Sequence, residues 1–281
     1  MVNERLSRWD IMIFESVLSG EKASGEIAKA LGLSPSYTSE CIKRLVGMGL
    51  VEVRRAGLSA LVRPAKGGAA TSLARLVKEG SGLNLPKVLA GPGLAILPNL
   101  LPPGRTAQEL INAVSLSRMT VMERIRLWRG MGLVVRDRPT GRYRLAPGQR
   151  ELSDFTASYS EDRFRRVTAE AAAGAILIWH GPEESLFSVD AGTPVKGFAP
   201  AGPSALGARV ATSRDYYLAG RRRRISQNEA LVQALLVDPG NPRIRRMLRE
   251  RAETGSAARR SLAVLAKRYG MEPELAGILE G

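Results

Sequence analysis

LSPSYTSECIKRLVGMGLVEV fills residues 33–53, and LSRMTVMERIRLWRGMGLVVR fills residues 116–136. The pentapeptide GMGLV stands in both, at residues 47–51 and 130–134, an offset of 83. Carried backwards without a gap, that offset pairs Glu26 with Glu109, Ile27 with Leu110, Ala30 with Ala113 and Leu33 with Leu116. It also pairs Ser34 with Ser117, Ile42 with Ile125 and Leu45 with Trp128. The positions that agree are mostly those a buried face would fix, while the polar positions between them differ. Two copies of one small module account for that pattern.

Each copy reads as helix, helix, turn, helix and two-stranded hairpin. In the first, Trp9, Met12, Ile13 and Val17 fall at helical spacing on one face. A second helix over residues 24–31 turns Ile27, Ala28 and Leu31 inward, and Gly32 ends it, since glycine enters the left-handed conformation cheaply. Ser34 caps a third helix and Pro35 takes its first turn, where a missing N–H costs nothing. Thr38, Ile42 and Leu45 face inward, which leaves Ser36, Tyr37, Ser39, Glu40 and Lys43 facing out. Runs at 50–54 and 60–63 around a turn at 56–59 make the hairpin, with Arg54 and Arg55 near its tip.

In the second copy Thr106 and Glu109 form a T-x-x-E capping box. Ser117 caps the third helix; Val121, Ile125 and Trp128 point inward, and Arg118, Met119, Thr120, Met122, Glu123 and Arg126 outward. The hairpin runs over 133–138 and 142–145 about a tip of Pro139, Thr140 and Gly141. Arg136, Arg138, Arg142 and Arg144 flank the tip, with Tyr143 among them.

Both segments resemble winged-helix transcription regulators of the MarR/ArsR type, on the two stretches that run from cap through third helix into hairpin. The resemblance covers residues 7–65 and 92–147. It implies that the third helix of each copy lies in the major groove of double-stranded DNA, with the hairpin, or wing, on adjacent backbone or minor groove. The residues it assigns to DNA are Ser36, Tyr37, Ser39, Lys43, Arg54 and Arg55 in the first copy. In the second they are Arg118, Met119, Thr120, Met122, Arg126, Arg136, Arg138, Arg142 and Arg144. The first copy departs from the family at Ala23, where a capping Ser or Thr is usual and neighbouring Ser24 is the substitute. Its third helix is weakly basic and carries Glu40, so it serves either as a reader or as a dimerisation or scaffold unit.

Charge supports a polyanionic partner. The formal net charge is +15, and residues 1–150 carry 23 Lys and Arg against 11 Asp and Glu. Residues 151–218 carry 6 against 9, and residues 219–281 carry 13 against 7. A uniformly basic surface explains the average but not the change of sign in the middle. One cysteine, Cys41, excludes an internal disulfide, and one histidine, His180, leaves too few soft ligands for structural zinc. No metal and no cofactor are expected. No run approaches about 18 apolar residues and the first ten residues lack an apolar core segment, so the expected location is cytoplasmic and off the membrane.

Enzymatic activity is not expected. The chain has no G-x-x-x-x-G-K-[ST] loop and no H-E-x-x-H, and Cys41 and His180 fall in different expected domains. Glu183 and Glu184 are adjacent, so strand alternation aims them apart. His180 reads as structural. Cys41 reads as buried filler, with a redox-sensing thiol as the alternative.

Residues 67–91 read as a linker with a short helix between Gly/Ser clusters, and 151–173 as a linking helix. Residues 174–281 read as a different domain: strands at 175–179, 185–189, 195–198 and 209–212, then helices over 226–237, 242–252, 256–269 and 272–279. Ser226 and Glu229 supply a capping box to the first of these helices. GFAPAGPSALGARVATSRDYYLAGRRRRISQNEALVQALLVDP, residues 197–239, resembles the C-terminal domain of archaeal winged-helix proteins akin to the type IV abortive-infection antitoxins. The G-P-S-A-L turn, the SRDYYL segment and the Arg-rich lead into an E-A-L helix carry that likeness. It implies a protein partner, such as a nucleotidyltransferase-like toxin, for a chain that autoregulates its own promoter. Arg221, Arg222, Arg223 and Arg224 form either a solvated loop or a second nucleic-acid patch, which Arg245, Arg246 and Arg249 would extend.

The expected fold class is α+β: two winged helix-turn-helix domains in tandem, at 1–66 and 92–150, followed by a small α+β C-terminal domain at 174–281. The expected function is double-stranded DNA binding in transcription regulation, with the antitoxin-like protein as the alternative. Two modules in one chain can span two half-sites, which leaves a homodimer open.

Overall fold

Two units make up the computed structural model, residues 1–163 and residues 164–281. The structure describes residues 5–56, 59–80, 82–114, 116–182, 184–207, 213–220 and 224–280.

The first unit begins with α1 (Arg8–Val17), opened by Ser7 and Asp10, each of which accepts the other's backbone N–H. β1 (Lys22–Ala23) leads into α2 (Ser24–Leu31), which Gly32 ends at φ 65°. The cap of α2 is Ala23, with no side-chain acceptor; the Glu26 carboxylate accepts the Ala23 N–H at 2.9 Å, and Ser24 is already inside the helix. α3 (Pro35–Gly47) starts at Ser34, whose hydroxyl accepts the Tyr37 N–H. β2 (Val51–Ala56) and β3 (Ser59–Pro64) form the hairpin, and β1 adds to β3 in an antiparallel sheet of order β1-β3-β2. Then come α4 (Gly68–Glu79), α5 (Leu85–Leu89), α6 (Gly93–Ile96), a 3-10 turn (Leu97–Leu100), α7 (Ala107–Ala113) and α8 (Arg118–Gly130). A second hairpin pairs β4 (Val134–Arg136) with β5 (Tyr143–Leu145).

α3 and α8 hold equivalent positions at the same offset, each opened by a serine cap and each followed by a left-handed glycine, Gly49 at φ 68° and Gly132 at φ 70°. That glycine reverses the chain from helix into hairpin, a conformation other residues enter only with strain. Two differences separate the copies. The counterpart of α1 in the second copy is not a full helix but α6 and the 3-10 turn, where Pro98 has no N–H to give an α-helical hydrogen bond. The second hairpin is also shorter: Val51 faces Pro64, whereas its counterpart Val134 faces Leu145.

Residues 67–91 are not an open linker. Ala69, Ala70, Leu73 and Leu76 of α4 and Val88 and Leu89 of α5 are buried in the same apolar cluster as Ile13, Phe14 and Leu45 of the first copy and Ile125 and Trp128 of the second. One core therefore serves both copies and the segment between them, in place of two separate domains. Gly91 donates to the Leu6 carbonyl at 2.8 Å, tying the chain start to the entry of the second copy.

α9 (Arg150–Ala171) follows the second hairpin. Its first half is integral to the first unit through buried Leu152, Phe155 and Tyr159. The Asp162 carboxylate accepts the Ala69 N–H at 2.7 Å, supplying from another helix the cap that Gly67 cannot give α4.

In the second unit β6 (Ile176–His180), β7 (Ser185–Asp190), β8 (Ala199–Pro200) and β9 (Arg214–Ala219) form an antiparallel sheet of order β6-β7-β9-β8, with α10 (Gly202–Leu206) between β8 and β9. The strand expected at 195–198 lies instead at β8, the one expected at 209–212 falls outside the described residues, and β9 is a further strand. α11 (Gln227–Val237), α12 (Pro242–Glu253), α13 (Ser256–Tyr269) and α14 (Glu272–Glu280) pack around Leu231, Leu235, Leu248, Leu262 and Ile278. Ser226 caps α11, but the Glu229 carboxylate does not close the box; it accepts the Tyr269 hydroxyl at 2.6 Å. Among the described residues no helix is long and apolar enough to cross a membrane.

Gly202 and Ser204 of the G-P-S-A-L turn make hydrogen bonds within this unit. Gly202 donates to Gln233 Oε1 at 2.9 Å, and Ser204 Oγ accepts the Tyr216 N–H at 2.8 Å. His180 lies against Phe164, ring centroids 6.1 Å apart.

Candidate nucleic-acid interface

Helix caps and apolar faces set which side of α3 and α8 meets solvent. On α3, Thr38, Ile42 and Leu45 are buried, and Ser36, Ser39, Glu40 and Lys43 are exposed. Tyr37 departs from expectation: it is half-buried and packs against the core, because an aromatic at the edge of the apolar face reaches back over it. On the first hairpin Arg55 is exposed, but Arg54 pairs with Glu21 at 2.8 Å, and Arg63 pairs with both Glu21 and Glu52. Hydrogen bonds from Arg54 and then Arg63 hold the Glu21 carboxyl below its ordinary value.

α8 presents a more cationic surface. Arg118 and Arg126 are exposed, and Met119 is 71% exposed. Thr120 is half-buried and shares a 2.8 Å hydrogen bond with the Ser117 hydroxyl. Met122, expected to face outward, packs against the core instead, its unbranched chain filling the edge of the cluster. On the hairpin Arg138 and Arg144 are exposed, and Arg136 lies over the Tyr143 ring at 5.7 Å.

Arg142 does different work from that expected. It donates to the Gly104 carbonyl at 2.7 Å and to Glu109 Oε1 at 3.0 Å. Glu109 in turn accepts the Thr106 N–H at the start of α7. Arg142 thus clamps the hairpin to the cap of α7, and two of its donors face inward.

Three arginines escaped the sequence reading. Arg44 pairs bidentately with fully buried Asp10, Nε at 2.9 Å and a terminal nitrogen at 3.0 Å, joining α3 to α1. Arg124 donates to the carbonyls of Lys87 and Ala90 at 2.6 and 3.2 Å and lies over Trp128, and burial lowers its guanidinium from the ordinary value. Arg129 lines an open cleft with Arg126, Gly130, Gly132, Val134, Val135 and Arg136 where α8 runs into β4.

Cys41 is buried on α3, its thiol pushed up to about 11 by burial and then by the Asp10 carboxylate. It stays protonated at neutral pH and lacks the thiolate a redox sensor needs. In the second unit Arg221, Arg222 and Arg223 lie outside the described residues, while Arg224 is exposed. Arg245 and Arg246 are exposed on α12, and Arg249 donates to the Ile278 carbonyl at 2.9 Å.

Residues 11–53 match the family model of bacterial regulatory proteins of the arsR family. The match runs from α1 through α2 and α3 into β2, so it is the helix-turn-helix of the first copy that is similar to this family. No curated protein matches the chain.

Proposed function

We propose that the chain is a double-stranded DNA-binding transcription regulator with two winged helix-turn-helix modules in tandem, the second of which is the main reader of bases. The observation that carries this reading is the recurrence of the arsR-matched segment in a second copy whose exposed helix and hairpin are rich in arginine. The excess of cations over residues 1–150 supplies the phosphate affinity such a protein needs. The decisive experiment is binding of a mixed-sequence duplex over a range of salt. With about 4–8 phosphates neutralised, log K should fall against log[salt] with a slope of about −4 to −7. A flat response, or no binding at low salt, overturns the reading.

Arg118 stands at the start of α8, where a recognition helix meets base edges, and its fork can pair with guanine O6 and N7. Arg118→Ala should weaken binding to selected sites by about 1–3 kcal/mol and relax preference at one base position. Lys43→Ala in the first copy should lower all sequences alike. Selection from a random duplex library checks both; loss of preference with Lys43→Ala but not with Arg118→Ala makes the first copy the reader.

A further inference from the structure

The cleft between α8 and β4 is lined by three arginines and, among the described residues, no acidic side chain. Arg126, Arg129 and Arg136 are exposed, and the Arg136 guanidinium lies over the Tyr143 ring at the rim, 5.7 Å from its centroid. Like charges gathered in one cleft repel one another, and the first hairpin shows how this fold neutralises its cations, by pairing Arg54 and Arg63 with Glu21 and Glu52. The fold does not need the arginines. At the same offset the first copy has Lys43, Val46 and Val53, and the two valines stand 43% and 44% exposed. Gly130 leaves the approach open, since a Cβ there would meet nothing within 4 Å.

Position along the helix identifies the anion. Arg126 and Arg129 lie about 12–16 Å along α8 from Arg118, at 1.5 Å per residue. That is comparable to the width of about 12 Å of a major groove, so a helix with Arg118 at base edges brings the cleft to the flanking backbone. We infer that Arg126, Arg129 and Arg136 grip a backbone phosphodiester of the duplex, anchoring α8 from its C-terminal end. The inference rests on the DNA-binding reading above and adds a phosphate clamp absent from the first copy. Guanidinium forks match phosphate oxygens bidentately, so arginine suits this place better than lysine.

The test uses the full chain, a fluorescent mixed-sequence duplex and the variants Arg129→Gln, Arg136→Gln and Arg129→Lys. Each glutamine variant should lower affinity severalfold on every sequence alike and flatten the salt slope by about 1. Arg129→Lys should restore the slope with only part of the affinity. Thermal unfolding of Arg129→Gln should match the parent, since this side chain is exposed. If the parent binds duplex steeply while both glutamine variants keep its affinity and slope, the clamp is wrong and the DNA-binding reading survives. A change of base preference in Arg129→Gln makes the group a base reader and overturns the clamp. Competition by inorganic phosphate at constant ionic strength that vanishes in Arg129→Gln reassigns the cleft to a free anion. A parent that binds no duplex removes the DNA-binding reading itself.

Discussion

Replacing Arg44 with leucine should lower the stability of the first unit by about 3–5 kcal/mol, the usual consequence of removing one partner from a buried ion pair. Asp10 is fully buried, and its carboxylate accepts two hydrogen bonds from Arg44 and one from the Ser7 N–H. Without Arg44 the charge keeps only the backbone donor and a thiol neighbour in a dry site. The converse change should be milder. The Arg44 side chain is 28% exposed and can turn to water, and Asp10→Asn keeps an oxygen for the Ser7 N–H, so a cost of about 1–2 kcal/mol is expected. Urea midpoints at constant m-value measure both, and the double variant gives the coupling. Should Asp10→Asn prove the costlier, the capping of α1 outweighs the bridge to α3.

What the sequence made legible was local. Serine caps at 34 and 117, the capping box of Thr106 and Glu109, the end of α2 at Gly32 and the inward faces of α3 and α8 all stand as read. Each is decided within one or two helical turns. The errors lie where a partner is distant in the chain. Arg142 looked like a free hairpin cation until its partners Gly104 and Glu109 were in place, and Arg44 gave no sign of Asp10. Tyr37 and Met122 sit at the margins of their helices' apolar faces, where a long side chain can lie down on the core or stand in solvent with equal backbone cost.

Ala69, Ala70, Leu73 and Leu76 recur at helical spacing, and the glycines on either side, Gly67 and Gly80, mark the ends of α4. Tyr216 and Leu218 of β9 alternate as a half-buried strand should, a signal that lies in the residues themselves.

The shared core leads to the second large effect. Trp128→Ala removes the indole of a side chain with no exposed surface and should cost about 3–5 kcal/mol. The value should fall toward the low end of that range, because the indole N–H has no hydrogen-bond partner in the structure and its loss leaves no acceptor orphaned. The informative quantity is where the loss is felt. Trp128 belongs to α8, yet its cluster takes in Phe14 of α1 and Leu45 of α3. Two independent modules would confine the damage to the second copy. One cooperative unit transmits it, so amide exchange in α3 should accelerate by the same factor as exchange in α8, wherever those amides open only by global unfolding. Protection in α3 that stays at the parent level while α8 loses its own would show two folding units. The core joining the copies would then be a docking surface between modules that each fold alone.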